Sequence, residues 1–399
     1  KAISAVMVPG GIAGLIVSNR FMTTQAGSTA RSIIKEEFDI LHVWDLGDTK
    51  LFEAAVLPAL LLLRKKDEQE KVSDSKMTTV YSVNDAHVEA DIVENIFSVL
   101  NNDGIAGTQH GSFLIQNGKL NSGSNSWDTW RLSNKSTDNW LKKVSEQTHC
   151  LFSDIGKIRV GVKTTADKVF IRDDWELLGD EKPELLKPLI THHVADHFMA
   201  RELEKQVLYT HESFGGKKKA ITITDYPKSL KYLEQHRDIL ESRTYIKDAG
   251  RNWYEIWVPQ DPDKWKQPKL VFRDISKKPY FWLDESGAVV NGDCYWISCG
   301  STDRNLIYLA LAVANSKFIT RFYDRKFNNK LYADRRRFIT QYVKDFPVPD
   351  PWNPHSKEIV SLVDQLMQTD DQNTRERMQE KIDSLVWHAF DLPIEKVSW

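Results

Sequence analysis

Between Lys317 and Arg337 the chain gathers eight cations (Lys317, Arg321, Arg325, Lys326, Lys330, Arg335, Arg336, Arg337) against two acids, Asp324 and Asp334. On a helix, Lys317, Arg321 and Arg325 fall at i, i+4 and i+8 and form one stripe. Phe318, Ile319, Phe322 and Tyr323 then form the opposite, core-facing stripe. A cationic stripe followed by an arginine triplet suits a row of phosphates, and arginine can also bond guanine bidentately. A solvated basic face is the plain alternative. A second cationic group, Gly215-Gly216-Lys217-Lys218-Lys219, sits between two strand-like runs. Three lysines on a flexible loop could follow a nucleic-acid backbone, or could simply solubilise a hairpin. A third segment, Gly161-Val162-Lys163-Thr164-Thr165-Ala166-Asp167-Lys168, offers Lys163, Thr164 and Lys168 as contacts to phosphates or base edges. It reads equally well as a turn.

Other chemistries fit the sequence poorly. His192, His193 and His197 invite a metal, with Asp196 as a fourth ligand. Their spacing of i, i+1, i+5 does not stack imidazoles on one helix face, and no cysteine lies nearby, so no metal site is expected. The sequence contains no C-x-x-C pair, no G-x-x-x-x-G-K-[ST], no H-E-x-x-H and no G-x-S-x-G,. Gly10-Gly11-x-x-Gly14 precedes a strand-like run, whereas a dinucleotide loop follows one,.

The 399 residues are 41% hydrophobic and 28% charged, enough for two or three cores,. A net charge of −2 hides an uneven distribution: −4 over residues 1–141, +6 over 142–350 and −4 over 351–399,. Three cysteines (Cys150, Cys294, Cys299) make no disulfide framework and point to a reducing compartment,. The longest apolar run, Ala54–Leu63, has ten residues and contains Pro58. A membrane helix needs about 20. No basic segment with a cleavage site opens the chain, so no membrane partner and a cytoplasmic location are expected. The sequence begins with Lys1 and runs almost at once into a strand pattern, which reads as part of a longer protein.

Hydrophobic spacing supplies the elements that must position these groups. Ile12–Ser18, Ile40–Leu46 and Ala55–Leu63 read as strands, the first covered on both faces,. Ala26–Phe38 reads as a helix with Ala30, Ile33, Ile34 and Phe38 on one side. Beyond a charged linker at Lys65–Lys76, strands are expected at Thr78–Ser82 and Ser112–Gln116, a helix near Glu89–Leu100 and a hairpin turn at Asn117-Gly118,. Short strands follow at Val160–Val162, Lys168–Ile171, Val207–Tyr209, Ala220–Thr224, Lys269–Phe272 and Tyr280–Leu283. Helical spacing returns at Thr302–Val313 and Lys317–Lys326. It returns again in the tail, where Ile359, Leu362, Val363, Leu366 and Met367 share a face, as do Met378, Ile382, Leu385 and Val386,.

In order along the chain, IAGLIVSNRFM and AGSTARSIIKEEFDILHVWDLGDTKLFEAAVLPALLLLRK are followed by IGKIRVGVKTTADKVFI, PELLKPLITHHV, YPKSLKYLEQHRDILESR, PKLVFRDISKKPYFWLD and ANSKFITRFYDRKFNNKLYADRRRFITQYVKDFPVP. This ordered set covers most of the chain. It resembles the C-terminal part of adenine-N6 DNA methyltransferases of restriction–modification systems, in their Eco57I-like and TaqI-like branch. The resemblance implies a partial Rossmann-like α/β methyltransferase sheet, then an α+β target-recognition domain, then a C-terminal helical hairpin. Residues 1–66 would be the rear half of the catalytic domain and 67–145 a linker and connecting subdomain. Residues 146–350 would recognise DNA, and 351–399 would form the helical tail.

The resemblance further implies that Phe52 stacks on a flipped adenine. An aromatic face there would repay part of the stacking lost when the base leaves the duplex. A core position beside Leu51 is the other reading of Phe52. Family members carry a glycine-rich cofactor loop and an N-P-P-Y-type tetrapeptide upstream. Neither occurs here, and the nearest Asn-Pro is Asn353-Pro354. S-adenosylmethionine is therefore expected in the full-length protein and not on this chain alone. Double-stranded DNA and a missing N-terminal catalytic half, or a partner subunit carrying it, are the expected partners. No acid pair followed by E-x-K marks a nuclease core. A different class stays open: a non-catalytic specificity subunit that docks protein through its helical tail. An RNA methyltransferase is a third, weaker reading.

Overall fold

The computed structural model describes all residues except 1, 53–55, 68–73, 84–90, 126–127, 328–330, 332–333, 396 and 398–399. The chain divides into two units. The first comprises 1–146, 320–337 and 395–399; the second comprises 147–319 and 338–394.

The first unit is built on one eight-stranded sheet. Strand β1 (Ile12–Ser18) leads through helix α1 (Ser28–Glu37) to β2 (Phe38–Asp45), and β3 (Pro58–Lys65) inserts antiparallel between them. β4 (Lys76–Ser82) then runs parallel to β2. The sheet is extended by β5 (Asp91–Ile92), β6 (Gly104–Thr108), β7 (Gly111–Asn121) and β8 (Arg131–Ser133). Strands from 12–65 and from 76–133 are thus hydrogen-bonded in a single sheet. Alternation of side chains divides them between two clusters. Ala59, Leu61 and Leu63 of β3 join Val43, Met77 and Trp130 on one face. Leu46, Val80, Phe113 and Ile115 fill the other. Helix α2 (Lys135–Glu146) closes the segment.

Several local expectations change. β1 is not covered on both faces by the described residues: it is an edge strand, with Ile12 58% and Ile16 63% exposed. In α1 the fully buried residue is Arg31, not Ala30, because its guanidinium donates to the Phe21 and Thr24 carbonyls at 2.5 and 2.8 Å. The helix expected near Glu89–Leu100 is one 3-10 turn at Ile96–Val99, begun by the Asn95 side chain accepting from the Phe97 N–H. Residues 84–90 lie outside the described set. Asn117-Gly118 lies inside β7 and makes no turn. The glycine is there because β8 approaches closely, so a Cβ would come 2.5 Å from the Ser133 carbonyl oxygen.

In the second unit β9 (Thr148–Leu151) and β10 (Ile158–Val160) lead to helix α3 (Asp167–Phe170), which occupies most of the run expected to be a strand. Two four-stranded sheets follow. One contains β11 (Ile171–Arg172), β12 (Leu186–Ile190) and β13 (Lys205–Leu208). A separate hairpin pairs β14 (His211–Phe214) with β15 (Lys217–Ala220). The other sheet joins β10 to β16 (Lys269–Arg273), β17 (Phe281–Asp284) and β19 (Cys294–Ser298), while β18 (Val289–Val290) completes the first. Their core holds Trp175, Trp265, Trp282 and Trp296. Lys269 and Asp284, cross-strand partners on β16 and β17, form a buried ion pair at 2.6 Å.

Helix α4 (Arg304–Ala314) is capped by the Asp303 carboxylate and buried along Ile307–Ala314. Helix α5 (Lys317–Phe327) follows. Strand β20 (Pro347–Pro349) pairs with β9, and the tail is a helical pair, α6 (Pro354–Met367) and α7 (Gln372–Ala389). Both tail helices pack on α4. Ile359, Val363, Leu366, Ile382, Val386 and Trp387 are each at most 1% exposed. The apolar stripe of the tail is therefore spent inside its own unit. Among the described residues, no helix is long and apolar enough to cross a membrane.

Candidate nucleic-acid interface

In the first unit, β2 ends at Asp45, whose carboxylate is fully buried. It accepts from Asn19 Nδ2 at 2.9 Å, the Tyr81 hydroxyl at 2.6 Å and the Gly47 N–H at 3.2 Å. Burial, then the adjacent Asp45 charge, pushes the Tyr81 phenol well above its usual range, so it stays a donor,. Asp48 in turn accepts from the Ser82 N–H at 2.8 Å and from the Ser82 hydroxyl. These bonds anchor the segment that carries Leu51 and Phe52. Leu51 packs against the core, and Phe52 is 47% exposed. A cleft of about 170 Å³ is lined by Thr49, Leu51, Asn95, Phe97, Gln109 and His110.

Helix α5 forms as its spacing requires, with Phe318, Ile319, Phe322 and Tyr323 all buried. Its cations are more heavily compensated than the local sequence indicates. Arg321 and Arg325 both pair with Glu395, at 2.9 and 3.0 Å, and Arg325 also lies 4.6 Å from the Trp140 ring centre. Lys326 is exposed, and the backbone N–H of half-buried Lys317 donates to Asp383 at 2.5 Å. Arg336 corrects the expected arginine triplet. It is 2% exposed and makes two 2.7 Å bonds to Asp324, with Asp334 also within reach. A guanidinium so enclosed supports the fold and cannot grip a phosphate. Arg335 and Arg337 are exposed, and Lys330 lies outside the described residues.

In the second unit, the 161–168 segment divides by burial. Lys163 and Lys168 are exposed. Thr164 is fully buried, donating to Asp167 and accepting from the Ala166 N–H, while Arg243 binds its carbonyl at 2.9 Å. It holds the turn and is removed from the set of surface contacts.

The β14–β15 hairpin presents the clearest cationic surface. Gly215 and Gly216 take φ of 58° and 72°, the positive values a two-residue hairpin turn demands,. Lys217, Lys218 and Lys219 are all exposed. Beside them Phe214 is 73% exposed, with the Lys219 ammonium 5.6 Å from its ring centre. Beneath the hairpin, Glu255 bonds Arg251 at 2.9 Å and meets His211 at 3.4 Å. Burial opposes the Glu255 charge, but His211, the Asn252 N–H and Arg251 outweigh it and hold its pKa at about 2,. Arg251 also donates to the Ile256 and Trp257 carbonyls, so the support is rigid.

Sequence reasoning named the three lysines and missed Phe214, whose position next to Gly-Gly-Lys-Lys-Lys was the available signal. It also missed Glu395, which lies 70 residues from Arg325. Among the described residues, no group of three or more histidines, cysteines and acids could hold a metal ion.

The glycine pair precedes β1 instead of following a strand, and the carboxylate at the end of β2 is buried and fully engaged.

The TaqI-like C-terminal specificity domain family matches residues 217–348. The Type II methyltransferase M.BanIII of Aneurinibacillus aneurinilyticus is 38% identical over 404 residues, covering 98% of this chain and 69% of its own length. M.BstVI of Geobacillus stearothermophilus is 25% identical over 400 residues, covering 96% of this chain and 64% of its own length. Among solved structures, the Type IIL restriction-modification enzyme MmeI, in complex with DNA, aligns with 97% of this chain at a TM-score of 0.57 and 11% identity. The chain spans 48% of that enzyme.

Proposed function

Because the chain belongs to the Type II DNA methyltransferases, with a TaqI-like specificity domain over 217–348, we propose that it provides sequence-specific duplex binding to an S-adenosylmethionine-dependent adenine-N6 methyltransferase of restriction–modification type. The observation that carries this reading is the β14–β15 hairpin. Three exposed lysines and an exposed phenylalanine project from a rigid base, and the lysines open the matched segment. Lysines neutralise phosphates, and an exposed aromatic ring beside them adds apolar contact to sugar or base.

In this reading residues 1–66 complete a catalytic sheet that 67–145 extend, 146–350 recognise DNA, and 351–399 buttress the recognition region. Lys163, Lys168, Lys217–Lys219, Lys326, Arg335 and Arg337 serve as the DNA contacts. Phe52 offers its exposed face to an adenine swung out of the helix, repaying part of the lost stacking,. The methyl donor would be held by residues beyond this chain, on an N-terminal half or a partner subunit, and the whole would work in the bacterial cytoplasm. Docking of another protein through the tail is less favoured, because the tail's apolar stripe is already buried against α4.

Titration of a mixed-sequence duplex at about 50 mM and 200 mM salt tests the reading. Binding at the lower salt that weakens steeply at the higher is expected. Absence of binding at low salt refutes it. In the complete methyltransferase, Phe52→Ala should leave duplex affinity within about twofold while abolishing the fluorescence rise of 2-aminopurine at the target adenine. An unchanged rise would return Phe52 to a packing role.

A further inference from the structure

The ends of β12 and β18 run parallel, with Leu189 opposite Val289 and Ile190 opposite Val290. The Asn291 N–H donates to the Ile190 carbonyl at 2.8 Å and fixes the two chain segments just where they leave the sheet. One segment presents His192 and the other Asp293. The carboxylate takes His192 twice: Oδ2 lies 2.5 Å from Nδ1 and accepts from the backbone N–H at 3.3 Å. The side chains are 38% and 29% exposed, so the pair reaches solvent while the ring cannot turn freely. With Nδ1 committed to the carboxylate, Nε2 is the nitrogen left to meet a ligand. The His193 ring stands 3.9 Å from that of His192 and restricts it further.

Cations stand on the neighbouring segments. Lys163 lies on a neighbouring segment. Val162 bridges Asn291, and a Cβ on Gly292 would come 3.1 Å from Lys163 Cγ, so the lysine stem lies over the residue preceding Asp293. On the adjoining strand, Arg273 is the cross-strand partner of Cys294. Among the described residues its buried Nε has no hydrogen-bond partner, and its guanidinium and the Lys278 ammonium both lie over Tyr280, at 5.6 and 5.5 Å. Lys163 and Arg273 thus lie on segments beside the pair, with Asp274 the neighbouring acid, its N–H donating to the Asp293 carbonyl at 3.4 Å.

We propose that His192, oriented by Asp293, reads a base edge in duplex DNA and so helps to set the recognised sequence. His192 is the contacting residue and Asp293 the positioning residue. The assignment rests on the duplex binding proposed above.

The test is selection of binding sites from a randomised duplex pool by the unaltered protein, His192→Ala and Asp293→Asn. The unaltered protein should enrich one sequence. His192→Ala should lose preference at one or two adjacent base pairs of it and bind that sequence about tenfold more weakly, with affinity for unrelated duplexes kept within about twofold. Asp293→Asn should relax the same positions to a smaller degree, since it keeps the side-chain shape but loosens the ring. An unchanged selected sequence overturns the assignment. A uniform loss on every duplex also overturns it, because it marks a phosphate contact or a folding defect. If the unaltered protein enriches nothing, sequence-specific binding itself fails, a result distinct from either of these.

Discussion

Replacing Lys217, Lys218 and Lys219 together by Ala isolates the electrostatic part of the proposed interface. All three are exposed, and the turn geometry belongs to Gly215 and Gly216. Stability should therefore change by no more than about 0.5 kcal/mol. Side chains alternate along β15, so Lys217 and Lys219 share one face of the hairpin and Lys218 takes the other,. One strand of phosphates can then meet about two of the three. Each phosphate neutralised contributes about −0.9 to the slope of log affinity against log salt, so the variant's slope should be shallower by about 1.8. Between 50 and 200 mM salt, a fourfold change, the affinity ratio of the unaltered protein to the variant should shrink about twelvefold. Anisotropy titrations of a labelled duplex at four or five salt concentrations measure this directly. Parallel lines would refute the argument, whatever their vertical separation, because a loss of affinity without a change of slope is not a loss of phosphate contacts.

Two further outcomes bear on the fold that carries the interface. Arg336→Ala removes a buried guanidinium and both of its 2.7 Å bonds to half-buried Asp324 and should cost about 3 kcal/mol, whereas Arg335→Ala should cost less than about 0.5,. Urea midpoints compare them, and equal midpoints would show that the Arg336 pair does not hold the fold. Stability should also fall as the solution is acidified. Burial, with Lys278 adding to it, lowers the His197 pKa from 6.5 to about 4, so the folded state binds the proton more weakly than the unfolded chain. The stabilisation is intact above pH 6.5 and is lost progressively down to about pH 4, up to about 3 kcal/mol in all. His197→Asn should flatten a denaturation profile over that window; an unflattened profile would assign the loss elsewhere.

Much of the architecture was written in local periodicity. α4, α5 and the tail helices sit within a few residues of where their apolar spacing puts them, because a buried stripe repeats every turn whatever covers it,. Asn117-Gly118 misled for the opposite reason. Its turn chemistry is genuine, but the glycine answers to Ser133 on another strand, which no window around it contains. Charge was the least legible property. A run of eight cations reads as uncompensated until Glu395 returns to Arg321 and Arg325 and Asp324 closes on Arg336. The His192–Asp293 pair, 101 residues apart, illustrates the same limit. Periodicity records which face is buried; it does not record which distant side chain arrives to meet an exposed one.

The division of the chain carries a practical lesson for exchanging specificity between relatives. The backbone passes from one unit to the other at 146/147, 319/320, 337/338 and 394/395. A cassette cut once after residue 146 would import, along with the foreign reading surface, the arginines and Glu395, whose ion pairs belong to the first unit. Grafts confined to 147–319 and 338–394 would leave Arg321, Arg325, Asp324, Arg336 and Glu395 with their native companions. Modularity in this molecule is a property of space and not of the linear reading frame.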